Sequence, residues 1–132
     1  MAAITGSDWS IWTNLAFLIP IYIAVENRLW MHAIFICMTT ALSFAYHLSG
    51  GKAFATDDQM TALALIAVNA VLVLVGITQR GYHNQWLAIA VGTACIGLLL
   101  FYIENRWPNT HGLWHIISAA ITVFCQLFFL SA

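Results

Sequence analysis

Residues 59–78 read QMTALALIAVNAVLVLVGIT. The run carries no charge, and its only polar side chains are Gln59, Thr61, Asn69 and Thr78. A helix of about 20 mostly apolar residues matches the thickness of a bilayer's hydrocarbon core. In lipid every backbone polar group must be satisfied internally, so such a run is read as a helix that crosses the membrane. Working outward, four more runs of similar character cover 9–25, 29–48, 86–103 and 110–130. Together they use most of the 132 residues and leave no room for a second domain. The expected architecture is all-α: one transmembrane domain over 1–132, an integral, multi-pass bundle of about five helices.

The composition agrees. The chain is 62% hydrophobic and 7% charged, with mean hydropathy +0.87, which excludes an ordinary soluble domain. A net charge of −1 gives no footing for nucleic acid. The amino end lacks the basic segment of a cleavable signal, so the first run is expected to remain as a span. Trp9, Trp12, Trp30, Trp86, Trp107 and Trp114 fall near run ends, where an interfacial belt places them. Cys37, Cys95 and Cys125 lie within runs without metal or redox spacing and read as small packing residues. Ala88 and Gly92, four apart, suit close helix packing. Pro20 is expected to kink the first span. Orientation is not set by charge: Lys52 and Arg106 fall on the face where the first span starts, Arg28 and Arg80 on the other.

Counting spans brings the ionisable groups together. His47 ends the second span, Asp57 and Asp58 precede the third, and His111 and His115 open the fifth, all on the starting face. His111 and His115 are separated by four residues, which puts both imidazoles on one helical face. With His47 they make three nitrogen donors and one open position, the pattern of a catalytic zinc site. Zn²⁺ there would lower the pKa of a bound water to about 7. Asp58 is placed to orient or deprotonate that water, with Asp57 as a second candidate. Ser43, one turn before His47, is placed to support the histidines or to polarise a substrate carbonyl. The stretch TDDQ (56–59) also reads as a capping box with Thr56 as N-cap, and Ser43 as a residue bonded to its own backbone. His32 and His83 fall on the opposite face and have no evident partners. Asn14 and Asn69 read as amides that join helices.

SFAYH (43–47), Asp58 and HGLWH (111–115) resemble the S-x-x-x-H, D, H-x-x-x-H signature of the CREST superfamily. That superfamily includes alkaline ceramidases, progestin and adipoQ receptors, post-GPI-attachment lipid-remodelling proteins and the transmembrane protein 8/myomaker group. Residues 13–50, with the NLAFL-P entry and the YH exit, are most similar to the last group's first two helices. The resemblance implies a zinc ion held by His47, His111 and His115, with Asp58 and Ser43 serving water and substrate. It implies hydrolysis of an amide or ester bond in a membrane lipid. Members usually have seven helices; this chain has room for about five, and the shortening favours a homo-oligomer. A non-enzymatic receptor, scaffold or membrane-remodelling protein with a structural zinc is the alternative, with Asp58 as a fourth ligand. A haem or proton-relay protein fits less well, because two imidazoles on one helical turn suit a small ion.

Overall fold

The computed structural model describes residues 9–50, 53–104 and 111–131. Lys52, Arg106 and Trp107 lie outside the described residues. The first run divides into α1 (Trp9–Thr13), a 3-10 turn (Asn14–Phe17) and α2 (Leu18–Glu26). There follow α3 (Trp30–Leu48), α4 (Ala55–Arg80), α5 (Gln85–Glu104) and α6 (His111–Leu130). Among the described residues there is no strand. The stretches Trp9–Glu26, Trp30–Leu48, Ala55–Gln79, Gln85–Ile103 and His111–Leu130 are long and apolar enough to cross a membrane.

The break in the first run has a local cause. Pro20 has no N–H to offer the carbonyl of Ala16, and its ring crowds that carbonyl. Ala16 falls inside the 3-10 turn, where the ladder tightens. At α4 the helix begins one residue before Thr56, with Phe54 at the N-cap in the left-handed region (φ 64°). The capping box expected at Thr56 is therefore not formed. Asp57 and Asp58 still fall in the first turn, where the exposed N–H groups favour negative charge.

α6 is the centre of the bundle. It packs against α1, the 3-10 turn, α2, α4 and α5, while α3 packs on α4 and the first run. The inner stripe of α6 is Gly112, His115, Ala119, Thr122 and Gln126, at spacings of three and four. The inner stripe of α3 is His32, Ile36, Thr39, Ser43 and His47. Apart from Ile36, both stripes are small or polar, whereas large apolar side chains such as Leu63, Leu74, Leu98 and Phe101 face outward. This inversion fits a lipid-facing bundle, in which helices associate through close packing and hydrogen bonds. Gly76 permits one such approach: a Cβ there would stand 2.6 Å from the ring of the fully buried Phe128.

Several expectations are corrected. His32 is not partnerless: its Nε2–H donates to Asn69 Oδ1 at 2.9 Å, and Gln126 Nε2 lies 3.4 Å from its Nδ1. Asn69 Nδ2 in turn donates to Thr122 Oγ1 at 3.0 Å, so one amide joins α3, α4 and α6. Asn14 instead donates to Ser10 of its own segment at 3.2 Å. Ala88 and Gly92 are exposed, and nothing among the described residues lies within 4 Å of where a Gly92 Cβ would be, so Gly92 makes no close helix contact there. Cys37 and Cys95 are also exposed, and only Cys125 is buried. Trp114 turns towards Phe101, with ring centroids 5.7 Å apart.

Because Asn69 serves two partners, Asn69→Leu should strand a buried imidazole N–H and lower stability by about 1–3 kcal/mol in detergent. His32→Leu in the same chain should restore part of that loss. Thermal or denaturant unfolding of the two single variants and the double variant tests the coupling; strictly additive losses would contradict it.

Candidate metal centre

Two helix ends build the histidine cluster. His47 lies in the last turn of α3, and His111 and His115 occupy the first turns of α6. Their ring centroids lie 4.7, 4.9 and 5.0 Å apart. His47 Nε2 and His111 Nε2 approach to 3.1 Å. One donor nitrogen from each ring can be chosen so that all three lie within 4.8 Å of one another. His47 and His115 are buried, and His111 is partly so.

The geometry suits a single metal ion. Metal–nitrogen bonds of about 2.0–2.1 Å in a tetrahedral arrangement place two ligand nitrogens about 3.4 Å apart. The 3.1 Å approach of His47 and His111 is close to that spacing. His115 Nδ1 lies 3.1 Å from the backbone oxygen of Ser10. A carbonyl can only accept, so Nδ1 carries the proton and a neutral His115 presents the lone pair of Nε2. Metal-binding histidines commonly have this arrangement, with the second ring nitrogen donating to a carbonyl or carboxylate.

Ser43 and Asp58 adjoin the cluster. Ser43 Oγ lies 3.5 Å from His115 Nε2, a loose contact. Ser43 and His111 lie near the Asp58 carboxylate, and the three residues line the same cavity. Asp58 is partly buried and Asp57 is exposed, so of the two acids Asp58 is the one beside the histidines. Ser43, Asp58, His111 and His115 line one end of a cavity of ≈ 90 Å³ between α3, α4 and α6, whose other end reaches Asn69 and Thr122. A wider groove of ≈ 310 Å³, almost wholly apolar, runs between α4, α5 and α6. Ile66, Asn69, Trp114 and Ile121 belong to both walls, so the groove and the cavity are neighbours.

Sequence reading did not single out the first segment's contribution. Ser10 Oγ lies 3.2 Å from His47 Nδ1, and Thr13 Oγ1 lies 3.0 Å from His115 Nδ1. Both residues are buried. The available signal was their spacing of three on the same face of the membrane as the histidines; two small hydroxyls in an apolar run are too common to stand out. Trp9 completes this docking. Its indole lies against Gly112, where an added Cβ would stand 2.8 Å from the ring.

Gly112→Ala should therefore push Trp9 off α6 and cost about 1–3 kcal/mol, the range for overpacking. Trp9→Leu in the same chain should recover part of the loss, as read by thermal unfolding in detergent. Compared with protein-family models, with curated proteins and with solved structures, the chain finds no match.

Proposed function

We propose that the chain is an integral, multi-pass membrane protein that hydrolyses an amide or ester bond in a membrane lipid, using zinc held by His47, His111 and His115. The observation that carries this reading is the convergence of three imidazoles, two of which line a cavity with Asp58 and Ser43 that adjoins an apolar groove. The resemblance to the CREST signature points to the same residues and the same chemistry.

The donor set favours zinc. Three neutral nitrogen ligands, with no thiolate and no carboxylate cage, suit it better than magnesium or calcium. When bound, zinc supplies Lewis acidity and makes a coordinated water acidic near neutral pH. Asp58 is the base and proton carrier: it takes the proton of the attacking water and returns it to the leaving nitrogen or oxygen. Ser43 Oγ donates to the substrate carbonyl oxygen as negative charge develops there. Leu65, Ile66 and Ile121 in the cavity wall limit water to the polar end, and the groove between α4 and α5 takes the lipid chain from the side.

The test is metal content of the protein purified in detergent without chelators, measured by elemental mass spectrometry beside incubation with ceramides and phospholipids. The wild type should hold about one zinc per chain, and His111→Ala/His115→Ala should lose both zinc and turnover. Asp58→Asn should keep the zinc while turnover falls by about 100-fold or more, the contribution of a general base. Turnover in metal-free protein would refute the zinc mechanism. Zinc in the wild type with no lipid consumed would favour a receptor or scaffold with a structural ion.

A further inference from the structure

We propose that Ser10 and Thr13, in the first turns of the chain's first helix, are positioning residues that choose which nitrogen of His47 and of His115 faces the metal. The inference rests on the metal-site part of the proposed function and does not depend on hydrolysis.

At His115 the hydrogen-bond directions follow from the atoms. Thr13 Oγ1 donates to the Ser10 backbone oxygen at 2.9 Å. Its single proton is thus committed, and a lone pair faces His115 Nδ1 at 3.0 Å. The Ser10 oxygen lies 3.1 Å from the same nitrogen. His115 Nδ1–H is therefore shared between two acceptors, and the Ser10 carbonyl, which can only accept, is incompatible with the other tautomer. Ser10 acts a second time through its hydroxyl, 3.2 Å from His47 Nδ1. The hydroxyl can donate or accept there; when it accepts from Nδ1–H, His47 Nε2 keeps its lone pair towards His111. One residue of α1 thus holds histidines from two different helices, α3 and α6.

The local fold explains why Ser10 can do this. Its carbonyl lies where the short α1 passes into the 3-10 turn, and it receives the side chains of Thr13, Asn14 and His115. Trp9, next in the chain, is seated over Gly112, next to His111. The docking that holds Trp9 in place thus holds the Ser10 oxygen in place. Ser10, Thr13, Asn14, His47 and His115 are all buried, so water has little access to the Nδ1 contacts. A ring whose tautomer and orientation are set in advance loses less freedom on binding and is a more basic ligand.

The experiment uses the full chain in detergent, stripped of metal and titrated with Zn²⁺ against a chromophoric chelator, with Co²⁺ absorption as a second readout. Thr13→Val keeps the shape and removes the acceptor; Ser10→Ala removes the contact to His47. Each should weaken Zn²⁺ binding by about 10–100-fold, as loss of an orienting partner does at other sites, and change the Co²⁺ visible band. Thr13→Ser should bind within about threefold of the wild type, whereas a residue needed only for packing would not be rescued by losing its methyl group. ¹⁵N-histidine NMR of the metal-free wild type should show the Nδ1–H tautomer at His115. An Nε2–H tautomer there, or Zn²⁺ affinity unchanged in both Thr13→Val and Ser10→Ala, would overturn the inference. If one variant fails to fold, the other and the NMR tautomer decide. Absence of Zn²⁺ binding by the wild type refutes the metal site itself, and the positioning role with it. Wild-type binding unaltered in the variants refutes the positioning role alone.

Discussion

The structure depends on one constraint: polar groups that sit inside an apolar-faced bundle must satisfy one another. The outward residues are largely leucine, isoleucine, valine and aromatic side chains, while the inner stripes of α3 and α6 carry histidine, serine, threonine and glutamine. In lipid, helices with such exteriors would gain little from merging their apolar surfaces, which leaves hydrogen bonds and close contacts to decide which faces meet. The His32–Asn69–Thr122 chain is one result, tying α3, α4 and α6 together. The histidine cluster is the other, tying the first segment, α3 and α6.

The two polar layers have different consequences. In the deeper layer the amide, hydroxyl and imidazole bond one another, and Gln126 Nε2 donates to the Pro20 carbonyl at 2.9 Å, while Gln126 Oε1 has no partner among the described residues. In the layer at the helix ends, the protein groups take up the Nδ1 side of His47 and His115. The Nε2 side is left to face the other histidines, Ser43 and the cavity. A site that can bind something is a place where the internal satisfaction of polar groups is directed on one side only.

α5 stands apart from this arrangement. It packs chiefly on α6, and none of its described residues belongs to the histidine cluster. Its distance from α4 opens the apolar groove beside the cavity. Gly97 lets it approach α6 at one point, where an added Cβ would meet Ile117, Trp114 and Ile121 at 3.2 Å. That contact keeps Trp114 on the boundary between groove and cavity, next in sequence to His115. In the lipid-hydrolase reading, the wall that separates a hydrocarbon chain from the polar end of the site is built from these residues.

Much of this was legible in the sequence because it depends on length, hydropathy and chain direction. Five apolar runs set the helices, and counting them placed His47, Asp58, His111 and His115 at one level; the four-residue spacing put two imidazoles on one face. Helix boundaries followed less closely, since Phe54 rather than Thr56 precedes α4 and a 3-10 turn interrupts the first run. What only the tertiary structure decided was partnership. His32 acquired Asn69 across 37 residues, His115 acquired Ser10 across 105, and Asp58 rather than Asp57 came to lie beside the histidines. The reason is physical: hydropathy and periodicity report the axis and depth of a helix. Its rotation against its neighbours is chosen by hydrogen bonds between residues far apart in the chain, and those bonds leave no periodic trace in the sequence.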